Sequence, residues 1–313
     1  MDGIKRILAV AVGAPRDHLI AAAGIPGNVR PYVEGLITGL ANSGHRLGTD
    51  YAIDYKERAQ ADLTNGKTSD IFAPKGAPAY DVIFAMSTNV ARAAKDTAGS
   101  TPIVSVVSNL KAEGLSRARN ITGISARRSQ TAGECFEHFL ATVPTLKRVR
   151  VLHKPGYGPS DRSLKLVKAA AKKRGVTVEV VAIKTRDDIQ TKLAKMAKRD
   201  SKKPADIGVL VLPVDVCLGA AQLIIDLAQG QKNLPAFFPV TDFVKPNAQG
   251  ALGGYGVPQR TCGVLMADYV EQILWRSAQP SALKVKDAGD DDFAWVVSRE
   301  AAKALNIRLP HVI

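Results

Sequence analysis

Short apolar runs rich in β-branched residues alternate with longer amphipathic stretches along the whole chain. This alternation limits the possible folds more than any other feature. The strand-like runs fall at 7–12, 50–55, 81–85, 103–107, 121–125, 148–153, 177–183, 207–213 and 237–241. The helix-like stretches fall at 30–43, 88–97, 128–142, 160–174, 187–198, 220–229 and 260–277. Several runs are apolar nearly throughout, as strands are when helices cover both faces of their sheet. Strand and helix in turn, with short connections, mean an α/β chain with mostly parallel sheets.

The order of elements is duplicated. One series of strands ends near 121–125, and a second begins at 148–153, after a helix closed by Pro144. Each series makes one open sheet, so the chain reads as two similar lobes with a cleft between them. A length of 313 residues suits two domains of ~150 residues each. In open α/β sheets the ligand lies beyond the carboxyl ends of the strands. Two facing lobes would share one site and close on it by a hinge motion.

The strand-to-helix turns carry the residues that such a site needs. Ser87-Thr88-Asn89 follows the third strand, and Val107-Ser108-Asn109 follows the fourth. Small hydroxyl and amide residues at these turns cap the next helix. Together with exposed N–H groups they also suit a carboxylate. Capping explains each turn alone, while recurrence at successive strand ends points to a binding cleft. The segment 13–27 is rich in Gly and Pro and reads as a long functional loop.

Other chemistry is poorly supported. Gly66-Lys67-Thr68 resembles the end of a phosphate loop, but Ala61 stands where the first glycine is needed. No G-x-G-x-x-G follows the first strand, and Gly156-Tyr157-Gly158 lacks the third glycine. His18, His45, His138, His153 and His311 show no metal spacing, so no metal and no cofactor is expected. His138 lies three residues after Cys135, which fits packing better than zinc. Asp290-Asp291-Asp292 reads as a solvated turn. Cys135, Cys217 and Cys262 are far apart and odd in number, which argues against a disulfide framework.

Charge and composition narrow the partners. Lys and Arg outnumber Asp and Glu by 43 to 29, a formal net charge of +14. The excess concentrates at 165–174 and 192–203, on the polar sides of helices, where a solvated face is the default. Such a face could attract anionic ligands or acidic surfaces. Aromatics make up only 5%, too few for stacking platforms, and no nucleic-acid partner is expected. The longest apolar run, 207–214, is strand-sized and far short of the ~18 residues a membrane span needs.

A set of ordered segments resembles a known family. These are Tyr32-Val-Glu-Gly-Leu-Ile-Thr-Gly-Leu40, Tyr51-Ala-Ile-Asp-Tyr55, Thr101-Pro-Ile-Val-Ser-Val-Val-Ser-Asn109 and Asn120-Ile-Thr-Gly-Ile-Ser125. Leu146-Lys-Arg-Val-Arg-Val-Leu-His-Lys-Pro-Gly156 and Ala301-Ala-Lys-Ala-Leu-Asn-Ile-Arg-Leu-Pro310 complete it. In order and spacing they resemble the ABC-transporter substrate-binding proteins related to the tryptophan/tyrosine-binding lipoproteins. The resemblance implies two Rossmann-like lobes of type I periplasmic-binding-protein architecture. Residues 1–124 with 246–281 would form the first lobe, and 125–245 with 282–313 the second. It further implies a monomeric, non-enzymatic receptor that takes a small metabolite, such as an amino acid, to an ABC permease. Export to the periplasm or membrane surface would follow if a leader preceded Met1, and a cytoplasmic location if Met1 is the natural start.

Carried over by position, the resemblance places Ser87, Thr88, Asn89, Ser108 and Asn109 at the site from the first lobe. Tyr157, Ser160, Asp161, Val214, Asp215, Asp242 and Phe243 would come from the second, and Tyr255 would begin the return to the first. A ligand carboxylate would take donors from Ser87, Thr88 and nearby helix starts. A ligand ammonium would face Asp215 or Asp242, and Tyr157, Phe243 or Tyr255 would pack on an apolar side chain. Asn109 departs from the acidic turn residue common in the family, and 14–27 departs from its first loop. These departures leave room for a plain carboxylate, aromatic or branched, paired with Arg16, Arg92 or Arg128. Two alternatives use the same fold. One is the ligand-sensing domain of a cytoplasmic regulator. The other is a two-lobe enzyme such as a cysteine-dependent racemase built on Cys135, Cys217 or Cys262.

Overall fold

The computed structural model describes residues 3–13, 15–21, 30–64, 68–73 and 79–310. The chain opens with β1 (Lys5–Val12), β2 (Arg16–Ile20), α1 (Pro31–Asn42), β3 (Tyr51–Arg58), α2 (Gln60–Thr64) and α3 (Ser69–Phe72). It continues with β4 (Val82–Ala85), α4 (Thr88–Thr97), β5 (Ile103–Val107) and β6 (Ile121–Ser125). Then come α5 (Ala132–Thr142), β7 (Arg148–His153), α6 (Gly158–Arg174), β8 (Thr177–Ala182) and α7 (Arg186–Ala194). Next are β9 (Ile207–Val211), α8 (Asp215–Leu218), α9 (Ala221–Ile225), β10 (Ala236–Phe238) and β11 (Gly253–Gly256). The chain finishes with α10 (Gln259–Arg276), β12 (Lys286–Asp287), β13 (Ala294–Val297) and α11 (Arg299–Ala304).

These elements form two compact units. One holds the chain up to Ala126 and Gln259–Ala288, and the other holds Arg127–Pro258 and the chain from Gly289 onward. The breaks expected after 124, 245 and 281 therefore move to 126, 258 and 288. Strand pairing explains the shifts. β11 is bonded into the second sheet beside β10, so the chain leaves that unit only after it. β12 pairs with β6 in the first sheet, which keeps Lys286 and Asp287 in the first unit.

The first sheet runs β12-β6-β5-β4-β1-β3-β2, parallel except for the edge strand β2. From β1 the chain steps to β3 on one side and then to β4 on the other. Right-handed crossovers that reverse direction put their helices on opposite faces. Accordingly α1 packs with α10, while α2 and α3 pack with α4. β2 corrects part of the expected long loop. The polar run Arg-Asp-His-Leu-Ile lies antiparallel to β3, with Ile20 opposite Ile53 and fully buried. Ala14 and 22–27 of that loop lie outside the described residues.

The second sheet runs β13-β11-β10-β9-β7-β8, parallel except for the edge strand β13. Its core stacks Phe139 of α5 on Phe237 of β10, ring centroids 5.1 Å apart. β11 escapes a propensity reading because three of its four residues are glycine. Tight packing requires all three, since a Cβ on Gly253 would stand 2.4 Å from the Phe237 ring, and one on Gly254 or Gly256 would stand 2.3 Å from the Val240 or Pro239 carbonyl oxygen. α5 starts at Ala132 rather than 128 because Arg127, at φ 51°, turns the chain and its carbonyl accepts from Gln130 and Thr131.

The tightest contact in the first unit is between α1 and α10. A Cβ on Gly35 would stand 2.0 Å from the Arg260 carbonyl oxygen. One on Gly263 would stand 2.1 Å from the Tyr32 carbonyl oxygen. The helices touch backbone to backbone, and no rotamer change can make room for a methyl group. Gly35→Ala should therefore destabilise the protein by ~1–3 kcal/mol, the usual cost of overpacking, despite the better helix propensity of Ala. A urea unfolding midpoint at or above wild type would show that the seam yields.

Candidate functional site

In a parallel sheet every strand ends at the same edge, and a ligand crevice opens where the strand order reverses. In the first unit that point lies between β1 and β4. β4 ends with Met86 bonded to the Val10 carbonyl, and Ser87 follows as N-cap of α4. Ser87 Oγ accepts from the Val90 N–H at 3.3 Å, so its own O–H is left to donate. Thr88 is buried and Asn89 half-buried in the first turn. One strand further out, Ser108 is buried after β5. Asn109 Oδ1 accepts from the Ala112 N–H at 2.8 Å, which builds the turn that replaces a helix there.

A buried carboxylate lies on the other side of β1. Glu57, at the end of β3, is only 2% exposed. Its Oε1 accepts from the Tyr55 hydroxyl and from Arg30 Nε, both at 2.8 Å. Its Oε2 meets Arg16 Nε at 2.8 Å. Burial, and then the Glu57 charge, push the Tyr55 hydroxyl far above its usual range. Arg16, a candidate partner for a ligand carboxylate, is thus held by Glu57. Arg92 is held by Glu113 at 2.5 Å, and Arg128 is buried after β6. Glu57 was open to discovery in the sequence. Tyr51, Ile53, Tyr55 and Glu57 share the buried face of an alternating strand, and a carboxylate in that register needs partners.

In the second unit the strand order reverses between β7 and β9. The turn from β7 into α6 is tied twice. His153 Nε2 and Asp161 Oδ1 are 2.7 Å apart, and Ser160 Oγ accepts from the Lys154 N–H at 3.0 Å. Tyr157 precedes α6 and is mostly buried, with the Lys154 ammonium 5.7 Å from its ring centre. After β9, Val214 is buried and Asp215 opens α8. Lys154 belongs to this group. Its charge reaches the Cys217 thiol, two residues beyond Asp215. Sequence reasoning passed over Lys154, whose only signal was its place directly after a strand. Ser160 and Asp161 shape the turn, whereas Tyr157, Lys154 and Asp215 line the reversal point.

Asp242 and Phe243 follow β10, one strand further out, and Phe243 packs edge-on against Phe238 at 5.2 Å. Tyr255 is placed differently from expectation. It lies inside β11 of the second sheet rather than on a return into the first unit. Its hydroxyl donates to Glu134 at 3.0 Å, and its ring packs on His138 at 4.2 Å and Phe293 at 5.5 Å. Burial, with the Glu134 bond second, raises that hydroxyl to about 12.

The match to known proteins spans almost the entire chain. Residues 27–313 match the family described as ABC transporter substrate binding protein. The chain belongs to that family. A conserved domain protein from Vibrio cholerae superposes with a TM-score of 0.75 at 23% identity, covering 99% of this chain and 97% of its own. An ABC domain in complex with L-Trp from Streptococcus pneumonia gives 0.76 at 18%, with the same coverage. A ligand-free, open substrate-binding protein with adhesive properties from Clostridium difficile gives 0.60 at 21%, again with that coverage. Comparison with curated proteins gives no match. These structures share the two-sheet α/β architecture of periplasmic binding proteins. Among the described residues no helix is long and apolar enough to cross a membrane.

All three cysteines are buried. Burial pushes the Cys135 and Cys217 thiols up to about 12. A thiolate is what a cysteine-dependent racemase needs, so their setting disfavours that alternative. With pKa values raised this far, both thiols stay protonated through neutral and mildly alkaline pH. Alkylation of the native protein at pH 8, followed by mass spectrometry, should leave Cys135 and Cys217 unlabelled, and urea should expose both. Rapid native labelling of either would contradict the burial.

Proposed function

We propose that the chain is the solute receptor of an ABC importer. It takes a small carboxylate-bearing metabolite, an amino acid with an aromatic or branched side chain, by closing its two units on it. The family is one of substrate-binding proteins, which implies a small-molecule ligand and an ABC permease as partners. Its members are usually periplasmic or exported to the cell surface, which fits delivery to a permease.

The observation that carries the reading is the complementary chemistry at the two strand-order reversals. The first unit offers the Ser87 hydroxyl and the N-terminal turn of α4, which suit a carboxylate. The second offers the Asp215 carboxylate for an ammonium and the Tyr157 ring for an apolar side chain. Lys154 gives a second place for an anionic group. The L-Trp complex of the Streptococcus protein supports the same ligand class, with the fold as the link at 18% identity. No step in this function breaks a covalent bond in the solute, as suits a family that is typically non-enzymatic.

Calorimetry with a panel of amino acids and aromatic or branched carboxylic acids should find one ligand that binds one to one, with micromolar affinity or better. Asp215→Ala should weaken an amino-acid ligand by ~1.5 kcal/mol or more, the scale of a charge-assisted hydrogen bond. X-ray scattering should show a smaller radius of gyration with that ligand bound. Absence of heat with every member of the panel would overturn the ligand class, and an unchanged radius would overturn closure.

A further inference from the structure

We propose that the first unit carries a second, shallow site for a small molecule bearing two anionic groups and one ammonium, the ionic pattern of an acidic amino acid. The site is a hollow of about 630 Å³ lined by Lys111, Ser116, Arg117, Ser125, Val285 and Asp287, with Ala112 and Gly114 completing its wall. It lies at the β5-β6-β12 end of the sheet, away from the reversal between β1 and β4. A volume in the ~300–1,000 Å³ range accepts a compact metabolite.

The backbone around the hollow is firmly held. Leu110 and Leu115, on either side of Lys111–Gly114, are buried in the first unit's core, and Val285 packs against that core. Ser125 Oγ, on the floor, accepts from the Leu110 N–H at 3.1 Å. Ser125 and Asp287 are register partners in the β6/β12 ladder, so their spacing is set by the sheet. The turn's own acid, Glu113, is engaged by Arg92.

The charges on the rim make the hollow selective. Among the described residues Lys111, Arg117 and Asp287 form no ion pair, although all three border the same space. Two cations and one carboxylate are the complement of two carboxylates and one ammonium. Ser116 adds a hydroxyl able to donate to a carboxylate oxygen.

The test uses the full chain and three probes, L-glutamate, glutarate without the ammonium and L-glutamine without the second carboxylate, each titrated by NMR or calorimetry. L-glutamate should bind saturably and about tenfold more tightly than either analogue, one lost charge-assisted contact being worth ~1.4 kcal/mol. The double variant Lys111→Ala, Arg117→Ala should weaken L-glutamate by about tenfold or more. Asp287→Asn should abolish the preference for L-glutamate over glutarate while leaving glutarate binding unchanged. All three side chains are exposed, so these variants retain the core. No saturable binding of L-glutamate would overturn the proposal. So would binding that survives the double variant, which would assign the probe to another site, or an Asp287→Asn effect equal on both probes. The proposal does not depend on the importer reading and stands or falls separately.

Discussion

The glycine seam between α1 and α10 is the contact on which the first unit depends. It joins segments more than two hundred residues apart in the chain, and the Arg260 guanidinium reaches the Thr38 hydroxyl across it. α10 forms only after the chain has built the whole first segment of the second unit. The first sheet therefore lacks the helix that covers one of its faces until late in synthesis. Contacts so distant in sequence are slow to form and leave apolar surface open meanwhile. Gly35 and Gly263 lower that risk in one respect: two bare backbones can meet without rearranging side chains.

Both units solve the same problem in the same way. A parallel sheet delivers its strand ends to one edge, where Ser87 caps α4 in the first unit and Thr185 caps α7 in the second. Ser87 illustrates the economy of the arrangement. Its oxygen satisfies the helix, while its hydrogen is left for a ligand. Ser160 and Asp161 lean the other way, being tied to Lys154 and His153 in holding a turn. Their value to a ligand is indirect: they fix where Tyr157 and Lys154 stand. Glu57 does the same for Arg16 and Arg30, though at greater cost, because its carboxylate is buried and each oxygen must be bonded.

Much of this was legible before any coordinates. The runs at 103–107, 121–125 and 148–153 coincide with β5, β6 and β7, the first two because they are short runs buried on both faces and the third because Arg148, Val149, Arg150 and Val151 alternate with the period of a strand. The strands that escaped reading did so for physical reasons. β2 is polar because it is an edge strand, held by cross-strand pairing and the Arg58–Asp17 ion pair. β11 is glycine-rich because the Phe237 ring and the Val240 and Pro239 carbonyl oxygens fill the space of its side chains. β12 has two residues and no pattern to detect. At the site, cap positions could be read because capping has a local signature. Pairings such as Glu57 with Arg30 could not, because they are set by how strands lie side by side.

β13 has a consequence for how the chain tolerates being cut. It comes from the last crossing, runs antiparallel to β11 and covers that strand's outer row of peptide groups. A protease nick between α10 and β13, or a stop codon there, would leave the second sheet with a bare edge of unpaired N–H and C=O groups. Such an edge invites pairing with another chain. The tail of the polypeptide thus guards against aggregation by a sheet whose other strands were completed long before it emerged.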